Sequence, residues 1–392
     1  MGQNTTHGGV SLEVVVSHVH VEKVESKAAV EQFVDLPYRL HRGETYFVPP
    51  LRMGELDMFD PQKNPFFEHA RVDLFLAWRD GDLVGRIAAV DDDHHNNTHG
   101  DNIAFFGFFD AVDESVAKAL LDAVEAHARH WGRSAVRGPT NPTMNDGSGF
   151  QIDAFDSKPF VMMPANPARY PQYVEALGYH KVKDLYAWFF DVQKHQLSER
   201  LTRIAERARK RYSITVRPVN LRHFDEELAH LKHIYSEAWE DNWGFVKYTD
   251  AEFDHLAADM KLILDPQMAL FAESEGEVVA VCICLPNLND VLEHLPNGRL
   301  IPRGIPLLIG MKLMPRRFVN SLRLPILGVM PKYRNRGIEA LLIAEILRVG
   351  KPRGYVRGEL SWVLEDNHSM NRAIEEAGAE RYKTYRLYQK DL

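Results

Sequence analysis

At 392 residues the chain is longer than one ordinary hydrophobic core serves, so two domains are expected. Hydrophobic residues at 45% and charged residues at 26% exclude a disordered chain, and a net charge of −8 removes any global electrostatic case for nucleic acid. No run approaches the roughly 20 apolar residues of a membrane-spanning helix.

The start of the chain, Met1-Gly2-Gln3-Asn4-Thr5-Thr6, lacks the basic-plus-apolar pattern of a signal peptide and matches only the spacing of a myristoylation motif. Val72 to Trp78 and Leu83 to Val90, separated by Asp80-Gly81-Asp82, predict a hairpin. A polar loop and the aromatic strand Ile103 to Phe109 follow. Val116, Ala119, Leu120, Ala123 and Val124 recur at helical spacing and place a helix over about Glu114 to His130, capped by Asp113. A short strand near Ala135-Val136-Arg137, a loop rich in Asn, Gly and Pro, a helix around Pro171 to Leu177 and a strand from Tyr186 to Val192 complete the half.

A basic, helix-prone segment from Leu197 to Tyr212 then leads to the strand Ile214 to Val219. Leu270 to Ala272 and Val278 to Cys284 flank the turn Glu275-Gly276-Glu277. Cys282 and Cys284, the only cysteines, share a face of that strand, which suits neither a disulfide nor a zinc site and fits a reducing cytoplasm. The strand Leu322 to Val329 precedes a helix from about Gly337 to Val349. The strand Glu359 to Leu364, a helix around Met370 to Ala377 and a strand near Tyr385 to Tyr388 close the series. The same order of elements thus runs twice, with alike helix ends at Glu175-Ala176-Leu177-Gly178 and Glu376-Ala377-Gly378. Internal duplication is the economical reading: residues 1–195, a connecting basic helix at 196–213, and residues 214–392.

The sharpest local signal is Gly328-Val329-Met330-Pro331-Lys332-Tyr333-Arg334-Asn335-Arg336-Gly337-Ile338. A strand ends, a basic turn follows, and an Ala/Leu/Ile-rich helix starts at once. Free backbone N–H groups and a helix N-terminus then face whatever sits above the turn, a ready site for a pyrophosphate. The bland alternative is a plain strand-to-helix turn with solvated arginines.

Here the chain resembles the GNAT superfamily of acyl-CoA-dependent N-acyltransferases, whose coenzyme signature is Q/R-x-x-G-x-G/A at this turn. Arg334 to Ile338 fit its first five positions, and the sixth is Glu339. The resemblance covers Ile214 to Leu392 well and Val14 to Val192 faintly. It implies an α/β (α+β) architecture of tandem GNAT folds, each a mixed, mostly antiparallel sheet flanked by helices. It also implies acyl-CoA as co-substrate with no tightly bound cofactor, held by Val329, Met330, Arg334, Asn335, Arg336, Gly337, Ile338 and Asn367. The matching first-half region, Phe108 to Ser115, has three acidic groups and neither glycine nor arginine, so that half is expected to be degenerate.

In the family the strands matching Leu322–Val329 and Glu359–Leu364 splay around the thioester, and a backbone N–H near Val329 or Met330 polarises its carbonyl. A base must free the acceptor amine. Glu365 at the strand end is the first candidate and Glu359 the second, each with a surface or capping role as its alternative. The family's frequent tyrosine acid falls at Ile374 and is absent; Tyr382, Tyr385 and Tyr388 lie nearby, and the sequence does not choose among them. Trp239, Asn242 and Trp243 precede the hairpin where the family shapes its acceptor pocket; core packing is their alternative.

Between the second and third strands of the second half stands an insertion at about 286–320. Its apolar run is punctuated by Arg303, Lys312, Arg316 and Arg317, which suits a membrane interface, a lid over a lipid chain, or packing between the halves. With the degenerate first half, and with Asn64-Pro65-Phe66-Phe67-Glu68-His69, Phe105-Phe106-Gly107-Phe108-Phe109, Ala238-Trp239-Glu240-Asp241-Asn242-Trp243-Gly244-Phe245 and the run from Glu359 to Asn367, it resembles a narrower, two-domain group that transfers a fatty acyl group to the amine of a long-chain base. The leading expectation is therefore ceramide-forming N-acylation in the cytoplasm or at the inner face of the membrane. N-acetylation of a small polar amine or a protein, and non-catalytic acyl-CoA or lipid binding, stand as alternatives. Asp91-Asp92-Asp93-His94-His95-Asn96-Asn97-Thr98-His99 has the composition of a metal cluster but no recognised ligand spacing, so no metal is expected. The arginines from Arg200 to Arg211 read as a solvated face, without the aromatic interleaving that RNA binding calls for.

Overall fold

The computed structural model describes residues 18–194, 197–240, 242–295, 297–301, 305 and 318–392. The first six residues and most of the arginine-punctuated insertion lie outside these. In chain order the first half comprises β1 (His20–Lys23), α1 (Lys27–Leu40), α2 (Arg52–Met58), β2 (Ala70–Arg79), β3 (Asp82–Asp92), α3 (Asp93–His99), β4 (Ile103–Ala111), α4 (Glu114–His130), β5 (Ala135–Gly138), β6 (Thr140–Asn141), β7 (Gly147–Ser148), β8 (Phe150–Gln151), α5 (Arg169–Ala176) and β9 (His180–Asp191). The second comprises α6 (Glu199–Arg211), β10 (Thr215–Pro218), α7 (Phe224–Trp239), α8 (Asp250–Ile263), β11 (Ala269–Ser274), β12 (Glu277–Pro286), α9 (Asn289–Leu292), β13 (Ser321–Val329), α10 (Ile338–Gly350), β14 (Arg357–Leu364), α11 (His368–Glu376) and β15 (Glu380–Asp391).

Local chemistry explains most boundaries. Val116, Leu120, Leu121, Val124 and Ala128 form the buried stripe of α4, and Asp113 caps it by accepting the Val116 N–H at 3.1 Å. Ile338, Leu341, Leu342 and Ile346 do the same for α10. Asp91 to His99 do not remain a loop: Asp92 accepts the N–H groups of His94 and His95 and starts α3. Helices α1, α7 and α8 carry no expectation from the sequence. Of these, α1 starts at the cap Ser26 and α8 at the capping box Thr249/Glu252.

Among the described residues thirteen strands join one mixed sheet in the order β1-β2-β3-β4-β5-β15-β9-β14-β13-β12-β11-β10, with β8 pairing off β15, while β6 and β7 form a separate two-stranded sheet. The last strands of the two halves are exchanged. β9 pairs antiparallel with β14, and β15 pairs antiparallel with β5. Each half also contains one parallel pair that soon separates. β4 and β5 hold together over Ile103–Phe105 and Ala135–Arg137, and β13 and β14 over Ser321–Leu324 and Arg357–Leu360. Beyond those rungs the strands diverge, leaving a gap in each half. One apolar core packs α4 on the first half, and a second packs α10 and α6 on the second.

Candidate active site

The gap between β13 and β14 opens into a cavity of about 1120 Å³, above the roughly 300–1,000 Å³ of ordinary ligand pockets. One end is the basic turn. Val329, Arg334, Asn335, Gly337 and Asn367 line it there. Asn335 and Gly337 both adopt left-handed backbone, with φ of 63° and 78°. A Cβ built on Gly337 would lie 2.4 Å from Ile204 Cγ2, so glycine is required by both conformation and contact. Arg334 donates to Ala238 O at 2.8 Å and ties the turn to the end of α7.

The remaining turn residues lie just behind. Met330 is buried against β12, and Ile338 is core. The Arg336 guanidinium stacks over Tyr333 and Tyr212, 4.7 and 5.2 Å from their ring centres. Helix α6 differs from the solvated connector its charges suggest, since Leu201 and Ile204 wall the cavity while Ala205 and Ala208 pack on the core of α10. Asn367 both caps α11, accepting the Met370 N–H at 3.2 Å, and lines the cavity.

Glu339 stands on the cavity wall as well. Its carboxylate accepts its own backbone N–H, and burial pushes its pKa above the ordinary value while the Arg334 charge opposes the rise. The side chain therefore occupies a helix N-terminal donor that an anion would use.

Another part of the wall is aromatic. Trp239, Asn242 and Trp243 come together on the wall with Tyr235, Phe245 and Tyr248. Tyr235 packs on Trp239 with ring centres 5.0 Å apart. Gly328 lets this happen, because a Cβ there would stand 2.5 Å from the Trp239 ring. Asn145, from the polar first-half loop, and Met162 complete the wall across the interface.

Four polar side chains meet where β13 and β14 part. Glu359 is wholly buried; its Oε1 accepts the Ser361 hydroxyl at 2.6 Å and its Oε2 accepts the Tyr382 hydroxyl. Arg323 Nε donates to Ser361 Oγ at 3.0 Å and Arg323 Nη2 to Ser361 O at 3.1 Å. Burial lowers the Arg323 pKa and raises that of Tyr382. Ser361 and Arg323 face the cavity, so the Glu359 carboxylate communicates with it through the serine hydroxyl. Arg323 is the member of this group that the sequence reading misses, although an arginine inside the apolar strand Leu322–Val329 is a visible signal.

Glu365 is placed elsewhere. Its Oε2 accepts Lys181 Nζ at 2.7 Å and its Oε1 the Asp184 N–H at 3.0 Å, and it does not line the cavity. The exchanged strand β9 brings those partners to it. Asp366, which does line the cavity, is ion-paired to Lys183 at 2.7 Å, and that bond lowers its pKa.

The backbone donors also sort themselves. Met330 N–H is spent on Val279 O at 3.0 Å, so alternation along β13 turns the Val329 N–H toward the gap. The first half repeats this geometry: Val112 N–H bonds Val84 O, and Ala111 N–H faces the gap between β4 and β5. There the space is filled. Tyr170 OH accepts the Ala111 N–H at 3.2 Å and donates to Asp110 Oδ1 at 3.2 Å, and Asn141 Oδ1 takes the Phe108 N–H at 2.6 Å. Asp110 is held in turn by His41 at 2.6 Å and Arg86 at 2.7 Å.

This geometry agrees with what comparison with known proteins gives. Residues 228–379 match the family model described as the acetyltransferase (GNAT) family. The chain is 36% identical over 379 residues to a bacterial ceramide synthase of Caulobacter vibrioides, covering 94% of this chain and 96% of that protein. It is 35% identical over 373 residues to the protein YghO of Escherichia coli, covering 94% of each. Among solved structures, a tandem GNAT protein from the clavulanic acid biosynthesis pathway superposes with a TM-score of 0.55 at 12% identity. The match covers 95% of this chain and 98% of that one, a likeness of fold. The chain belongs to the GNAT family and is an N-acyltransferase, with acyl-CoA as co-substrate.

Proposed function

We propose that the chain transfers a fatty acyl group from acyl-CoA to the amine of a long-chain base, forming an amide and free coenzyme A. One observation carries this reading: a single cavity of about 1120 Å³ is bordered by the basic turn, by the parting of β13 and β14 and by a wall of aromatic rings. Rings of that kind suit a lipid-like acceptor better than a small polar amine. The ceramide synthase relative, similar along nearly its whole length, supports the same acceptor.

The coenzyme pyrophosphate lies on Arg334, Asn335, Gly337 and the first N–H groups of α10. The thioester carbonyl accepts the Val329 N–H. The neutral amine attacks the carbonyl carbon, the C–N bond forms and the C–S bond breaks, and the sulfur leaves as thiolate. The surplus amine proton passes through Ser361 Oγ to Glu359 Oε1, while Arg323 and Tyr382 hold the relay in place. Trp239, Asn242 and Trp243 embrace the acceptor.

In the same reading the halves 1–195 and 214–392 descend from one duplicated unit joined by 196–213, and only the second has kept an open site. No helix among the described residues is long and apolar enough to cross a membrane. The lipid acceptor is therefore collected by peripheral contact with a membrane face, on the cytoplasmic side where two free thiols persist. Amide formation followed by mass spectrometry, with palmitoyl-CoA and sphinganine, tests the reading. A product only with acetyl-CoA and polar amines refutes it.

A further inference from the structure

Below the point where β13 and β14 part, a second cavity opens on the α10 side of the sheet. It measures about 70 Å³, several times the roughly 10–15 Å³ that one water needs. Cys284, Leu322, Ile346, Leu347, Ala377 and Ala379 give it apolar walls. Lys351, Tyr355, Arg357 and Glu359 also border it; Tyr355 OH reaches Asp265 at 3.4 Å, the Arg357 guanidinium reaches Asn320 at 2.7 Å, and the Glu359 carboxylate is taken by Ser361 and Tyr382. Leu324, Ile343 and Leu360 line this cavity and the large one alike, so the two meet at those side chains.

Gly358 of β14 also lines it. A Cβ built there meets nothing nearer than Leu322 O at 3.8 Å, and the residue is not in the left-handed region. Neither conformation nor packing demands glycine at this strand position, where glycine only weakens the strand. Alternation puts position 358 on the face of Leu360, so any side chain would enter the cavity. What glycine provides is space. Helix α10 connects the two sites: it starts at the phosphate turn, runs 13 residues or about 20 Å, and ends with Gly350 on the wall of the second cavity.

We propose that this cavity receives the methyl end of a long acyl chain whose thioester lies between β13 and β14, and that Gly358 keeps it open. The inference rests on the acyl-CoA reading above. Leu324, Ile343 and Leu360 form the passage, and the closed apolar end sets the longest chain that seats fully.

The test is calorimetric titration of the full chain and of Gly358→Leu with acetyl-, octanoyl- and palmitoyl-CoA. The wild-type chain binds palmitoyl-CoA more tightly than octanoyl-CoA. Gly358→Leu weakens palmitoyl-CoA by at least about tenfold, the worth of roughly two buried methylenes, and leaves acetyl-CoA and the melting temperature unchanged. An equal loss with all three donors, or no loss with palmitoyl-CoA, overturns the subsite. If the leucine variant does not fold, Gly358→Ala carries the test, with palmitoyl-CoA alone weakened by up to about fourfold and unchanged binding overturning the proposal. A wild-type chain that binds acetyl-CoA but gains nothing from chain length sinks the subsite alone. One that binds none of the three sinks the acyl-CoA reading with it.

Discussion

Replacing Glu359 by Gln removes the carboxylate that accepts the Ser361 hydroxyl while keeping the shape of the side chain. The other carboxylates on the cavity wall have different commitments. Asp366 is paired to Lys183, Glu376 to Arg200 and Arg372, and Glu339 sits at the phosphate turn. None replaces Glu359 at the parting of β13 and β14. Losing a general base costs about 10²–10⁴ in rate, or roughly 3–5 kcal/mol of barrier, so kcat falls by that factor while KM for acyl-CoA stays near its original value. Ser361→Ala cuts the relay but leaves the charge beside Arg323, and loses at least about tenfold. The pH profile distinguishes catalysis from damage. An alkylammonium acceptor titrates near ~10, so without the base the rate climbs steadily with pH as free amine appears, whereas the wild-type rate levels off earlier. Thiol release followed from pH 6 to 10, with a melting curve for each variant, provides the readout. Because a buried Arg323 without its anion costs stability, a variant melting below the assay temperature would not count. A folded Glu359→Gln enzyme within about threefold of wild type at neutral pH would refute the relay.

Three further outcomes follow from the same geometry. Gly337→Val abolishes acyl-CoA binding by calorimetry, since a Cβ lies 2.4 Å from Ile204 Cγ2 and the backbone is left-handed; retained binding removes the turn from the coenzyme site. Glu339→Gln tightens acyl-CoA binding by a few-fold, most at high pH. The raised pKa means that wild-type affinity falls as the carboxylate ionises toward alkaline pH, and the variant flattens that slope. Asp146, partly buried beside Tyr248, has its pKa pushed up by burial to about 6 from an ordinary 3.8. Its protonated form is favoured by folding, so its contribution is best at low pH and declines as pH rises from about 4 to 6. Asp146→Asn therefore stabilises the chain at pH 8 by on the order of 2 kcal/mol, and not at pH 4, by chemical denaturation.

The order of strands and helices was legible because periodicity is local: the apolar stripes of α4 and α10 and the runs of β2, β3, β12 and β13 appear at their own positions. The exchange of β9 and β15 was not, since a strand buried on both faces reads the same whichever neighbour it pairs with. That exchange decides the fate of Glu365. A strand-end carboxylate is a reasonable base until β9 brings Lys181 against it. It also explains why the sequence does not choose among Tyr382, Tyr385 and Tyr388: Tyr382 reaches Glu359 from 23 residues away by way of a strand that borders the other half. The strand-to-helix turn from Arg334 to Ile338 was legible because its residues are contiguous, and its left-handed Gly337 stands where the sequence places the start of the helix. The occupation of the first-half gap by Tyr170 and Asn141 was foreshadowed only by the loss of glycine and arginine after β4.

The central claim is that this site joins a long acyl chain to a lipid amine. The measurement that bears on it most directly is free thiol release from acetyl- through palmitoyl-CoA, with and without sphinganine, with the product identified by mass spectrometry. The account predicts release that requires both a long-chain donor and the base, with an N-acyl product. Release that is fastest with acetyl-CoA and a polar amine, or no release from any donor that binds, would contradict it.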